Sequence, residues 1–235
     1  MKKLTIIMVI SLFSILALGQ ESKDDATAKE SSYSFGIKFN AGASEIIESF
    51  TSNPFNFAPD NKLQFAYNFG ILTTYKFDDR NEIALEILYN QINGLDHLGE
   101  DYINSSGEKF GSGFRDIERH ITYLSIPVYY TYRISSWKLG LGIQTSFAMA
   151  SSDVETSNGT RNGMPYYYQV SKNGLDIIMY DIGPKLYVIY GISRRFFVDL
   201  DYYHGVVPIN NNMTGYSSQS LQNEELSLGV GFKIH

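Results

Sequence analysis

Residues 121 to 150, ITYLSIPVYYTYRISSWKLGLGIQTSFAMA, constrain the fold more than any other stretch of the chain. Leu124, Ile126, Val128, Tyr130, Tyr132 and Ile134 take alternate positions of a first arm, and Trp137, Leu139, Leu141, Ile143, Thr145, Phe147 and Met149 alternate positions of a second. That is the two-residue period of a β-strand. The opposite face of the second arm, Lys138, Gly140, Gly142, Gln144, Ser146, Ala148 and Ala150, is small and mostly polar. Ser135 and Ser136 leave room only for a tight turn. Each arm exceeds the roughly 9 to 11 residues that a tilted strand needs to cross a bilayer, so the pair has the form of a membrane hairpin.

The N-terminus is consistent with that destination. Met1-Lys2-Lys3, the apolar run Leu4 to Leu18 and the small residues Ala17 and Gly19 make a secretory signal peptide over 1–19, with cleavage after Gly19. The run is short of the roughly 20 residues of a spanning helix. The chain has no Cys, which excludes a lipid-modified N-terminal cysteine, disulfides and thiol chemistry. Cleavage takes two of the 19 basic residues and none of the 25 acidic ones, moving the net charge from −6 to −8. Nucleic acid is therefore not an expected partner.

Residues 20–32, QESKDDATAKESS, lack an apolar period and read as a flexible lead-in on the periplasmic side. From 33 to 235 the chain reads as one barrel domain. Tyr33 to Ala41, Lys62 to Phe77 and Glu82 to Tyr89 alternate as strands, followed by the central hairpin. Ile178 to Tyr190, Phe196 to Tyr202 and Leu226 to Ile234 complete eight. Residues 43–61, 91–118, 151–174 and 206–221 read as long loops, and residues 78–81, 135–136 and 191–195 as short turns. Strict alternation of long and short connections places all long loops at one mouth of an antiparallel up-and-down barrel. Pro127 and Pro184 each remove a ladder donor from mid-strand positions and predict local bulges.

Eight strands with one apolar face describe either a soluble barrel with that face inward or a transmembrane barrel with it outward. The polar face decides between them, because its Gly, Ser, Ala and Asn residues suit the cramped lumen of an eight-stranded barrel. Tyr33, Tyr75, Phe77, Tyr132, Trp137, Tyr190 and Phe196 gather at the short-turn end as an interfacial girdle. The fold class is therefore an all-β, eight-stranded transmembrane β-barrel in the outer membrane of a Gram-negative bacterium. Its inward face carries Lys38, Lys76, Arg133, Lys138, Lys185 and Lys233 against Glu82, Glu86, Asp181, Asp199, Asp201 and Glu225, so an internal ion-pair network and a closed lumen are expected.

Tyr123-Leu124-Ser125-Ile126-Pro127, Tyr132-Arg133-Ile134, Leu139-Gly140-Leu141-Gly142, Asp181-Ile182-Gly183-Pro184-Lys185 and Leu226-Ser227-Leu228-Gly229-Val230-Gly231-Phe232 together resemble the small outer-membrane β-barrel family of Bacteroidota often labelled PorT-like. The resemblance covers most of the mature chain, and its motifs are structural. It departs at Ser125, where such proteins often have an acid, and at the C-terminal Phe232-Lys233-Ile234-His235, which does not end on an aromatic. It implies an outer-membrane barrel and admits an accessory role in secretion or envelope biogenesis, without implying one activity.

Chemistry-bearing residues are sparse. His97, His120, His204 and His235 are the only histidines. His204 lies near Asp201 and His120 near Asp116 and Glu118 in sequence, the pairings that a hydrolase at the barrel rim would need. No motif fixes a nucleophile and no His-x-x-x-His spacing occurs, so no catalytic, cofactor-binding or metal-binding residue is assigned. Asn104-Ser105-Ser106, Asn158-Gly159-Thr160 and Asn212-Met213-Thr214 match a glycosylation pattern and read as loop composition. Pro54-Phe55-Asn56-Phe57 and Pro165-Tyr166-Tyr167-Tyr168 put aromatics on long loops, either to contact a ligand or to pack over the mouth. The expected function is a non-enzymatic structural or binding barrel whose extracellular loops meet a protein or ligand. A narrow porin is the alternative.

Overall fold

The computed structural model describes residues 32–50, 60–103, 109–173, 180–209 and 219–234. The signal peptide and nearly all of the lead-in lie outside these residues, as do His235 and Pro54 to Phe57. The strands are β1 (Ser32–Phe50), β2 (Asp60–Lys62), β3 (Gln64–Lys76), β4 (Asn81–Ile103), β5 (Lys109–Ile134), β6 (Trp137–Arg161), β7 (Met164–Asn173), β8 (Tyr180–Gly191), β9 (Phe196–His204) and β10 (Gln219–Lys233). Eight of them close a ring in the order β1, β3, β4, β5, β6, β8, β9, β10 and back to β1, every pairing antiparallel. Closure leaves no open edge within the ring.

Alternation sorts the side chains as the sequence requires. Leu141 and Ile143 are 60% and 59% exposed on the outside, whereas Gln144 between β5 and β8 is 0% exposed on the inside. The outer face is thus a belt of aliphatic and aromatic side chains and the lumen is polar. That arrangement is stable only with lipid outside. At the short-turn end Tyr33 meets Tyr75 and Trp137 meets Tyr190, each pair with centroids 4.7 Å apart, and Phe196 meets Phe232 at 4.9 Å. A second cluster, Phe65, Tyr67, Phe69 and Tyr89, lies toward the other end. From Phe65 to Tyr75 the strand climbs about 25 Å, taking roughly 3.3 Å per residue and a tilt of roughly 40°. That matches the apolar band of a transmembrane barrel.

The three short turns are where the sequence puts them. Ser135 supplies a positive φ of 58° at the first central position of the β5–β6 turn. Asp78 Oδ1 accepts the backbone N–H groups of Arg80 and Asn81 at 2.7 and 3.0 Å, closing the β3–β4 turn. Ser193 Oγ likewise accepts the Arg195 and Phe196 N–H groups between β8 and β9.

The other end departs from the sequence reading. Most of residues 91–118 is strand: β4 and β5 stay paired out to Ile103 and Lys109. Residues 151–174 hold the outer half of β6 and all of β7, joined at Asn162 and Gly163, whose φ values of 53° and 74° form a two-residue hairpin turn. The first long loop also starts later than expected, because β1 runs to Phe50, and the second expected strand is split at Leu63 into β2 and β3. Alternation of apolar residues marks a strand only where one face is dry. Beyond the bilayer polar and charged residues take both faces, and the apolar period disappears.

Neither proline makes a bulge. Pro127 leaves a gap in the β4–β5 ladder, with Leu85 opposite Val128 and Leu88 opposite Ser125 and no pairs between, but the register is the same on both sides. Pro184 stays in register with Ile143 and falls one residue beyond the last β8–β9 pair at Lys185. The missing N–H therefore costs little at either place. The real irregularity is at Thr122/Tyr123 against β6, where Tyr123 faces Ala148 and Thr122 faces Ala150. This extra residue moves Asp153 and Glu155 to the inner face of the rising sheet.

Candidate functional site: the filled lumen and the sheet above it

The middle of the lumen is a charge network. Lys38 Nζ donates to Asp199 Oδ2 at 2.7 Å and Glu86 Oε1 at 3.2 Å, and lies 3.5 Å from Asp201 Oδ2. Lys185 Nζ sits 3.5 Å from Asp201 Oδ1 and donates to Gln144 Oε1 at 3.0 Å. Asn40 adds a 2.6 Å bond to Asp201, Tyr129 Oη a 2.7 Å bond to Glu86, and Asn68 and Asn90 each hold a Glu225 oxygen at 2.9 Å. All the charged members of this network are buried. Buried charges are tolerated only when partners replace their water, and these are shared among strands on every side of the ring.

Apolar layers close the network from both sides. Toward the short turns Leu72, Ala84, Tyr129, Tyr187, Ile189 and Phe197 pack together, with the Tyr129 and Tyr187 rings stacked at 3.8 Å. Toward the tall end Ile46, Ile92, Ile121, Tyr123, Ile209 and Leu221 form a second layer. Asp181 lies nearby and accepts a 2.8 Å bond from Asn223.

The expected six-against-six pairing is only partly realised. Lys38, Lys138 and Lys185 are paired with Glu82, Glu86, Asp199 and Asp201, the Lys138 to Glu82 contact being 2.6 Å. Asp181 and Glu225 are satisfied mainly by amides, and Lys76 turns to Asp79 at 2.9 Å outside the lumen. Arg133 and Lys233 stay at the short-turn mouth and make no ion pair among the described residues. Counting charges by face missed the amides. Asn68 and Asn90 had the inward parity that would have revealed them.

Above the barrel, β4, β5, β6 and β7 continue as a sheet whose inner face is a ladder of opposite charges. Arg119 binds Asp96 and lies 3.9 Å from Asp153, while Glu155 is 3.5 Å from Arg115 and 3.8 Å from Lys172. Burial raises the Asp96 and Asp153 carboxyls above their ordinary range against the pull of Arg119. Glu155 is lowered, chiefly because Tyr168 donates to it at 2.5 Å. On β7, Met164, Tyr167, Tyr168 and Val170 are exposed. Pro165 to Tyr168 thus belong to a strand and do not pack over the mouth as a loop. Among the described residues β7 pairs with β6 alone, leaving its other edge open.

Among the described residues, His120 and His204 are not brought to the acids that lie near them in sequence. His204 points outward to Glu224 at 2.8 Å, whereas Asp201 points into the lumen, so the two are not brought together. His120 bonds Asn93 at 2.8 Å instead of Asp116 or Glu118. Asp116 goes to His97 at 2.5 Å, with Phe114 against the ring. Among the described residues there is no group of three or more His, Asp or Glu side chains placed to hold a metal. Asn158-Gly159-Thr160 lies within β6, and the other two matches of that pattern lie at least partly outside the described residues.

Comparison with known proteins places this geometry. No curated protein sequence matches the chain. Among solved structures, the chain is similar to Neisserial surface protein A, at 14% identity and a TM-score of 0.43 over 86% of this chain and 98% of that one. It is similar to the outer membrane protein OprG from Pseudomonas aeruginosa at 10% identity and a TM-score of 0.43, over 88% and 98%. Ail, the attachment invasion locus protein of Yersinia pestis, is similar at 11% identity and a TM-score of 0.35, over 88% and 100%. Residues 19–211 match the family model described as the outer membrane protein beta-barrel domain. The chain belongs to that family of small barrels and resides in the bilayer of the bacterial outer membrane.

Proposed function

We propose that the protein is a non-enzymatic display barrel, its lumen closed to ion flow, which holds the β4–β7 sheet above the membrane as a binding surface for a protein or other ligand outside the cell. Export follows cleavage after Gly19, and residues 20–32 stay on the periplasmic side with the short turns. The observation that carries the reading is β7, a strand with one open edge in the described residues and with Tyr167 and Tyr168 66% and 43% exposed. Open strand edges and exposed aromatics are the two commonest means of holding an extended partner. The two apolar layers across the lumen support a closed barrel over a narrow porin.

The resemblance to PorT-like barrels supports a partner within the secretion or envelope-biogenesis apparatus. A photo-crosslinking residue placed at Tyr167, in cells that make the protein natively, tests the display reading. A discrete adduct is expected there and is not expected from the same residue at Trp137 in the membrane girdle. Adducts of equal yield at both positions, or at neither, would reject β7 as the working surface.

A further inference from the structure

We infer that the short-turn mouth of the barrel is a binding pocket for a phosphate-class anion. A cavity of about 380 Å³ opens there, lined by Arg133, Lys138, Arg194, Arg195 and Lys233 with Glu82 as its one acid. Its floor is the apolar layer that contains Leu72, Tyr129 and Phe197, so the cavity is a dead end and not the entrance of a channel. A volume of this size suits a small ligand.

The charges are unevenly spent. Lys138 is committed to Glu82 at 2.6 Å, and Lys76 on the rim is committed to Asp79. Arg133, Arg194, Arg195 and Lys233 have no ion pair with any of the described residues, although the chain as a whole carries a net charge of −6. Four cations with no ion-pair partner among the described residues repel one another around one cavity, a cost that an anion in their midst removes.

Their backbone is already held in place. The Arg133 N–H donates to the Arg80 carbonyl at 2.7 Å, the Lys233 N–H to the Arg195 carbonyl at 2.8 Å, and Ser193 Oγ pins the turn that carries Arg194 and Arg195. Little backbone freedom is therefore lost when an anion binds a site of this kind. Guanidinium forks match the paired oxygens of a phosphate better than they match a spherical halide.

Calorimetric titration of the purified protein in phosphatidylcholine nanodiscs, with inorganic phosphate and then pyrophosphate in low-chloride buffer, tests the pocket. Saturable binding is expected, tighter for pyrophosphate and weaker as salt rises. The double variant R133Q/K233Q should weaken it by roughly tenfold or more, the loss of charge-assisted hydrogen bonds. The heat-dependent gel shift of the folded barrel should persist, because neither side chain is paired within the described residues. Repeating the titration with phosphatidylglycerol in the discs separates the sources. Unchanged pyrophosphate affinity supports a soluble ligand, whereas competition in the wild type but not in R133Q/K233Q supports the same pocket holding a lipid phosphate. No saturable binding at low salt, or equal affinity in the folded double variant, would overturn the inference.

Discussion

Lys38 Nζ lies 2.7 Å from Asp199 Oδ2, and this contact joins β1 to β9 over the lumen face of β10, the strand that pairs with both. One ammonium group therefore balances carboxylates from β4 and β9 that would otherwise face one another without water.

Replacing it by an isosteric apolar residue, K38M, leaves Glu86, Asp199 and Asp201 buried together with Lys185 as their only near cation. The expected loss is about 3 to 5 kcal/mol, the usual result of removing one partner from a buried cluster. Urea unfolding in lipid vesicles measures it. The double change K38M/D199N should recover part of the loss.

Gly231 tests the packing of the apolar layer beneath the pocket. A Cβ there would fall 1.9 Å from Phe197 Cζ, so the ring lies across the glycine. G231V should cost about 1 to 3 kcal/mol by overpacking, and F197A combined with it should cost less than the two single changes added. The same unfolding assay reads both.

The outer sheet carries two pH dependences of opposite sign. Glu155 is lowered by the Tyr168 hydroxyl, so its contribution is present above its unfolded value of 4.5 and is lost as pH falls through the folded value below that. Asp96 is raised by burial, so its ionised form weighs against the sheet at neutral pH and that cost fades as pH falls through its folded value. Protease nicking of the β6–β7 hairpin, followed against pH, should therefore rise on acidification below about 4.5 in the wild type. In E155Q that rise should flatten. A rise that is unchanged in E155Q would show that this carboxylate does not hold the hairpin.

Conduction separates a filled barrel from a narrow pore. Planar-bilayer recording of the purified protein should show no stable channel. Steady ion-selective conductance that shifts in K38Q or D201N would contradict the closed lumen.

The barrel was legible in the sequence where lipid lies on one side, because a strand wet on one face and greased on the other must alternate. Leu141 and Gln144 carry that signal plainly. It failed at Asp96, Arg119, Glu155 and Tyr168, whose strands lie beyond the lipid-facing belt and are held by cross-strand polar and charged pairs instead. Periodicity also could not show that the register shifts at Thr122/Tyr123 and not at Pro127, since a bulge depends on how two strands pair and not on the period of either one. The lumen was half legible. The charged residues were found by parity, but Asn40, Asn68, Asn90 and Asn223, which do much of the pairing, carry no charge to count.

The central claim is that the apolar face of the ring meets lipid and the polar face fills the lumen. The chain has no native Cys, so single-cysteine variants along β6, L141C, G142C, I143C, Q144C, T145C and S146C, each carry one environment-sensitive dye. Quenching by brominated lipid in vesicles should alternate, strong at 141, 143 and 145 and weak at 142, 144 and 146. Quenching in the opposite phase, or equal at all six positions, would contradict the account.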